Sequence, residues 1–427
     1  MISLKNIDLK GEIIGGITTF LSMAYIIIVN PKILEIAGIP FEGAMIATIL
    51  TASIFTILMG LYTDRPFAIA PYMGENAFIA YTVVKGLGYS WQTALGAIFI
   101  SGILFVLITL SGIRKKLAED IPPSLKIAFA VGIGLFLTFI GLNDIGIVKL
   151  GVEGAPVHIG NLRDIKVLLG IFSFFLMVFL LIKRIKGFIL ISIITTTILA
   201  ILFGLIPIPK DFISFNFDLS STFLKLDIKG ALTWGFVSII LTIFIMDFVD
   251  TMGTLIALGY QANLVDEKGN LPEIEKPMLV DAIATVFGAI LGTTTSGVFI
   301  ESATGIKEGA RKGLSSIVVG FLFLISIFFT PLYKIVPSFS YGPALVVVGM
   351  FMFENIRHFK FSDYSETIPS FITIILMSFT YNIGIGMTAG FLTYIIIKLF
   401  SGKIRDITPT MWFLGFLSLI FYVFYPY

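Results

Sequence analysis

Apolar runs of about 18 residues or more dominate this chain, and each is long enough to cross a hydrocarbon core of roughly 30 Å as a helix. The pattern predicts helices near residues 14–36, 43–62, 74–85, 91–112, 122–142, 166–183 and 187–205. A polar stretch with Pro, Lys and Asp (206–229) follows, and a second series runs near 230–257, 277–292, 299–306, 312–331, 343–356, 367–382 and 385–400. One further apolar run, 408–425, either spans the membrane or lies along its interface with its aromatic residues. Lipid-exposed irregular backbone and open sheet edges are excluded at membrane depth, so the expected fold is an all-α polytopic bundle.

Two segments break this pattern in mirrored fashion. "APYMGENAFIAY" (70–81) and "TTSGVFIESATGI" (294–306) interrupt apolar sequence with Gly and polar residues. Each carries a carboxylate followed by a small amide or hydroxyl residue, Glu75-Asn76-Ala77 in one and Glu301-Ser302-Ala303 in the other. Interrupted segments at matching places in two halves of a membrane protein point to a transporter's binding site. A second match, "IPPSLKIAFAVGIGLFL" (121–137) with "VPSFSYGPALVVVGMFM" (336–352), falls in the same order at a similar offset. Chance likeness among low-complexity apolar sequences is the competing explanation. A repeat of seven helices, an odd number, must insert its second copy upside down. The expectation is therefore about 14 transmembrane helices as two inverted seven-helix repeats, with short extended segments in helices 3 and 10.

Composition narrows the class. The chain is 57% hydrophobic and only 13% charged, with a mean hydropathy of +1.00, outside the range of soluble globular proteins. The first segment, "MISLKNIDLKGE", is polar, and the first apolar run is long enough to stay as a helix, so no cleavable signal is expected. The absence of cysteine removes disulfide and thiolate chemistry. A net charge of +2, scattered along the chain, gives no basic patch for nucleic acid. "GIRKK" (112–116), "KRIK" (183–186), "KEGARK" (307–312), "IRHFK" (356–360) and "GKIR" (402–405) all fall on one side by the helix count. That side is expected to be cytoplasmic, with the N-terminus inside, in a multi-pass protein of the plasma membrane lipid bilayer. The acidic loop 259–276 falls there too, though acids count little in that rule. His158 and His358 both fall in loops, so a proton relay within the membrane must use carboxylates.

The helix at 230–257 ends in "FIMDFVDTMGTL", where Asp247, Asp250, Thr251 and Thr254 share one helical face. A polar stripe on a buried helix faces the bundle interior or a water-filled cavity; a solvated cytoplasmic helix end is the plainer alternative. In the second broken segment, "GTTTSG" (292–297) suits a short extended stretch before a half-helix. The half-helix N-terminus would offer unpaired N–H groups beside Glu301, with Ser302 and Thr304 able to bond neighbouring donors. Acceptors and donors together suit a flat heterocycle better than an anion, which Glu301 and Asp250 would repel. In the first broken segment Asn76 can both donate and accept. Phe299, Phe78 and Tyr25 are candidates to stack on a ring, packing being the plainer role for each. Thr18, Thr19 and Ser22 on the first helix either face a ligand or bond back to their own helix.

"GGITTFLSMAYIIIVNP", "PYMGENAFIAYTVVKGLGYSWQTALGAIFISGILF", "DFVDTMGTL" and "SGVFIESATGIKEGARKGLSS" resemble the adenine/guanine/hypoxanthine permeases, the AzgA-like branch of the nucleobase–cation symporters. The likeness runs nearly end to end. It implies a core domain of helices 1–4 and 8–11 (residues 1–117 and 230–334) that holds the base. A gate domain of helices 5–7 and 12–14 (118–229 and 335–427) completes the barrier. It implies that Asp250 is the helix-eight acid gripping the base, Glu301 the helix-ten glutamate and Asn76 the helix-three asparagine, with Phe299 and Ile300 just before the glutamate. Thr254 stands where related uracil permeases have His. Ser302, Thr251 and Tyr25 complete the substrate-binding candidates. Glu75 departs from a position usually uncharged in the branch, and its role is open: purine preference, a proton, or pairing with a cation.

The expected function is secondary active import of purine nucleobases by proton symport with alternating access. The proton-coupling candidates are Glu301, Asp250, Asp247 and Glu75, the first two favoured by the resemblance. Sodium coupling, the preferred purine and the oligomeric state, a homodimer included, stay open. The alternatives are a carrier of another nucleobase such as xanthine or uracil, or of an anion, on the same fold. A membrane-embedded enzyme using Asp250 and Glu301 as acid and base is the remote one, with neither a metal-ligand set nor a nucleophile motif in its favour. No cofactor and no metal are expected.

Overall fold

The structure, a computed structural model, describes residues 8–112, 120–152, 155–266, 271–359 and 361–424. Nine helices among them are long and apolar enough to cross a membrane. Part of the "GIRKK" run lies outside the described residues, as does Lys360.

The first half begins with α1 (Leu9–Met23) and α2 (Ile26–Ile36), one apolar span broken at Ala24 and Tyr25, then α3 (Phe41–Thr63). Strand β1 (Ile69–Pro71) leads into the short α4 (Met73–Ala77), and the chain continues as a π-helix, Phe78–Gly86. Helices α5 (Trp91–Ser111) and α6 (Pro123–Ile145) follow. A hairpin of β2 (Val148–Val152) and β3 (Ala155–Ile159) precedes α7 (Ile165–Ile182) and α8 (Phe188–Leu202).

The second half opens with a single turn, α9 (Ile228–Ala231), and the long α10 (Trp234–Gln261). Next come α11 (Glu275–Leu291), β4 (Ser296–Val298) and the half-helix α12 (Ser302–Lys307). The remaining helices are α13 (Gly313–Ser326), α14 (Thr330–Lys334), α15 (Ser338–Phe353), α16 (Tyr364–Phe379) and α17 (Ile383–Phe400). The final run is helical, α18 (Pro409–Phe424), and packs on α17 and α10.

Packing repeats itself between the halves. Helix α3 packs on α13 as α11 packs on α5; α1 packs on α13 as α10 packs on α5; α6 packs on α16 as α15 packs on α7. Three further partnerships, α6 with α15, α3 with α11 and β1 with β4, join equivalent elements of the two copies. This is the arrangement of an inverted repeat. Helices α6 and α15 touch through Gly134 and Gly349, where a methyl on either would collide with the other's carbonyl oxygen. Small residues at such crossings let backbones approach in lipid, where no hydrophobic force drives helices together.

The two broken segments meet as antiparallel strands, with Ile69 opposite Val298, Ala70 opposite Gly297 and Pro71 opposite Ser296. A side chain at Gly297 would run into the ring of Tyr72. Two strands leave open edges, and an unpaired backbone group in a dry interior costs several kcal/mol. Flanking helices close them with side chains. Thr56 Oγ1 on α3 accepts from Ile69 N (2.8 Å), and Thr285 Oγ1 on α11 accepts from Ser296 N (3.1 Å). Asp281 Oδ2, also on α11, accepts from Val298 N (3.1 Å), and Ser302 Oγ accepts from Ala68 N (3.0 Å). The bracing helices, α3 and α11, are themselves repeat equivalents.

Candidate substrate-binding site

A cavity of about 1330 Å³ runs from these crossing segments to one face of the bundle. Its inner wall is built by Tyr25, Met73, Gly74, Asp250, Phe299 and Glu301. Its outer part is lined by Pro123, Lys126, Lys307 and Glu354, at the helix ends that border the basic loops. That volume exceeds the roughly 300–1,000 Å³ of a closed small-molecule pocket, so the space is a vestibule, and its inner end is the candidate site.

Each half supplies part of that end. The α1–α2 break turns Tyr25 across to α12, where its hydroxyl donates to Glu301 Oε1 (2.7 Å). Oε2 has no donor among the described residues. Asp250, on α10, lines the cavity and makes no hydrogen bond among the described residues, and Thr254 one turn further on lines it too. Thr304 Oγ1 donates to the Glu301 carbonyl (2.7 Å) and lies 3.0 Å from Ser22 Oγ, which bonds back to Thr18 of its own helix. Phe299 is buried, its ring 7° from parallel to that of Tyr72 with centroids 6.1 Å apart. Ile300 projects into the open space, 48% exposed.

Other expected residues point elsewhere. Asn76 is fully buried and does not line the cavity. Its amide donates to Asn30 Oδ1 and accepts from Thr294 Oγ1, while Asn30 donates to Thr48 (2.7 Å) and Thr293 (2.9 Å). That network ties the first broken segment to α2, α3 and the approach to β4. Ser302 braces the backbone before β1, and Thr251 donates to Asp281 Oδ2 (2.9 Å). Asp247 is fully buried, accepting from Thr285 (3.2 Å). Glu75 is fully buried in α4, and Phe78 packs in the core behind it.

The α12 N-terminus also differs from expectation. The N–H groups of Ser302, Ala303 and Thr304 bond back to the carbonyls of Phe299, Ile300 and Glu301. Tight turns at the helix start use donors that an ideal helix end would leave free. Thr254 Oγ1, with no protein partner among the described residues, is the donor the cavity offers beside Asp250. Two residues of this region were not anticipated. Tyr72 donates to the Val298 carbonyl (3.2 Å), and Asp281 is a fully buried acid on α11. Asp281 did show the relevant signal: an acid within "KPMLVDAIATVFGAIL" is costly at membrane depth.

The profile of a permease family, that of the xanthine/uracil permeases, matches residues 10–402. The chain belongs to that family. It is 44% identical to "Putative permease MJ0326" of Methanocaldococcus jannaschii, over 97% of this chain and 94% of the relative. It is 39% identical to "Guanine/hypoxanthine permease PbuG" of Bacillus subtilis, over 97% and 96%. It is 37% identical to "Adenine permease AdeP" of Escherichia coli, over 97% and 93%. Among solved structures, the transmembrane domain of the cyanobacterial bicarbonate transporter BicA superposes with a TM-score of 0.69 at 16% identity, over 91% of this chain and 98% of that one. SLC26A9 gives 0.69 at 11% identity, over 92% and 66%. At these identities the likeness is one of fold. The chain is thus a multi-pass membrane permease of inverted-repeat architecture, and not an enzyme.

Proposed function

We propose that this protein is a secondary active importer of purine nucleobases, adenine, guanine or hypoxanthine, driven by proton symport. The observation that carries the reading is the end of the cavity. Glu301, held by Tyr25 on one oxygen, and Asp250, with no partner among the described residues, offer acceptors to ring and exocyclic N–H groups. Thr254 offers a donor to a carbonyl or ring nitrogen. An anion such as bicarbonate would meet two carboxylates there, which disfavours it. The names of the relatives point the same way.

Residues 1–117 with 230–334 would form the core that holds the base, and 118–229 with 335–427 the gate. Relative movement of the two would expose the site alternately. The cavity opens beside the basic loops, and the start of α1 lies there too, where Glu12 accepts from the backbone N–H groups of Arg311 and Lys312 (2.7 and 2.9 Å). By the positive-inside rule that face is cytoplasmic, so the N-terminus is inside and this state faces inward across the plasma membrane.

The test is uptake of labelled adenine, guanine, hypoxanthine, uracil and bicarbonate into proteoliposomes, under an imposed pH gradient without sodium. Purine accumulation that collapses with the gradient is expected. Asp250→Asn and Glu301→Gln should each weaken purine binding by about 1.5–3 kcal/mol, the range for hydrogen bonds to charged groups. Unchanged purine binding in both variants, or uptake of bicarbonate in preference to every purine, overturns the assignment.

A further inference from the structure

Unlike Asp250 and Glu301, Glu75 is a carboxylate that the candidate site does not reach. It is fully buried, does not line the cavity, and neither oxygen has a hydrogen-bond partner in another described residue. Helix α10, which packs on α4, carries two acids, Asp247 and Asp250, and no lysine or arginine. Four segments pack on α4: α2, the π-helix, α6 and α10. Their lysines serve elsewhere, Lys32 pairing with Glu35 (3.3 Å), Lys85 exposed, and Lys126 at the cavity mouth. A buried ionised carboxylate with no cation and no donor, facing other carboxylates, costs several kcal/mol. A metal ion does not resolve this. Asp247 and Asp281 already accept from Thr285, Thr251 and Val298, and no group of acids among the described residues is arranged to hold one.

We propose that Glu75 binds the co-transported proton, and that its neutral form is what allows neighbouring Asp250 to stand ionised as the acceptor for the base. The inference rests on the nucleobase reading above and adds to it the residue that couples base to proton. Two carboxylates on helices packed together in a dry interior do not both ionise readily. A proton on Glu75 therefore favours a charged Asp250, and a base N–H bound to that carboxylate favours keeping the proton on Glu75. The coupling is reciprocal, each ligand raising the affinity for the other by one factor. Asp250 lines the cavity and lies on α10, which packs on α4, so it is the route by which the proton reaches water. When the base leaves, the proton on Glu75 passes to Asp250 and from there to water. One proton moves per base, and no bond but O–H is made or broken.

The closing experiment compares wild type, Glu75→Gln and Glu75→Asp in detergent and in proteoliposomes, loaded with unlabelled hypoxanthine to read exchange and empty to read accumulation. Wild type should accumulate labelled hypoxanthine under a pH gradient, and its affinity should fall with rising pH by at most about tenfold per unit, the limit for one linked proton. Glu75→Gln, which mimics the protonated residue, should retain hypoxanthine exchange and bind independently of pH. It should lose gradient-driven accumulation, its inside-to-outside ratio falling to one. Glu75→Asp should restore accumulation. Infrared difference spectra of the wild type should show a protonated carboxyl band that Glu75→Gln removes, a readout that needs no transport. Gradient-driven accumulation in Glu75→Gln at the wild-type ratio overturns the assignment of Glu75 alone, as does persistence of the carboxyl band. Wild-type uptake that follows sodium and ignores pH overturns the proton proposal and leaves the base reading standing. Wild-type protein that neither binds nor exchanges any purine overturns the base reading, and this inference with it.

Discussion

Glu301 is held on one oxygen and open on the other, and the Tyr25 hydroxyl is what makes the difference. A carboxylate free to rotate presents its lone pairs at random, whereas a 2.7 Å bond from a rigid phenol fixes which oxygen meets the cavity. Tyr25→Phe keeps the ring, 1% exposed in the core, and deletes only the donor. Hypoxanthine affinity should fall by about tenfold, roughly 1.4 kcal/mol and within the range for one hydrogen bond to a charged group. Titration calorimetry on purified protein measures it, and an unchanged dissociation constant would show that Glu301 needs no positioning. At this scale an acid in an apolar helix is the signal the sequence offers, and it singled out Asp250 and Glu301, which line the cavity, while the same signal at Asp281 went unread. It was not legible which way each small polar residue faces. Both sides of a broken helix in a repeat are buried, so spacing cannot separate a cavity-lining residue such as Thr304 from a bracing one such as Ser302.

The strand pair shows how elements at membrane depth are held. Its backbone groups are closed by hydroxyls and a carboxylate projecting from α3 and α11. The sequence announced the extended stretches through "FAIAPY" and "TTTSGVF", small and β-branched runs flanked by Pro and Gly. It announced their borders less well, since helix resumes at Met73 and takes in Gly74. The π-helix at Phe78–Gly86 leaves no sequence mark, because it shifts hydrogen bonds without changing which residues are apolar. The β2–β3 hairpin was hidden in a stretch expected to be loop, although "VKLGV" and "PVHI" alternate polar and apolar positions. If bracing is the role of Ser302, Ser302→Ala strands the Ala68 N–H and should cost about 1–3 kcal/mol of stability. The melting temperature in detergent should drop while base affinity in the surviving folded protein stays close to wild type. A large loss of affinity at unchanged melting temperature would instead put Ser302 in contact with the base.

Across the whole molecule, one packing scheme used twice leaves a vestibule open on a single face. The ion pair between Lys186 and Glu308 (2.6 Å) ties the α7–α8 turn to the end of α12 on that side. Both side chains are a third or more exposed, so the pair contributes about 0–1 kcal/mol and biases the open state only slightly. The open state itself can be tested on the protein's own terms, because the sequence has no cysteine to compete with an introduced one. Ile300 lies at the inner end of the cavity, 48% exposed, next to Glu301. In Ile300→Cys, a membrane-impermeant maleimide should react faster in inside-out vesicles than in right-side-out ones. The charged reagent can reach this depth only through the face that is open. Saturating hypoxanthine should slow the reaction, since a base bound between Asp250 and Glu301 would lie over the new thiol. Labelling that is faster from the outside would reverse the orientation inferred from the basic loops. Equal labelling with and without base would move the binding site away from Ile300.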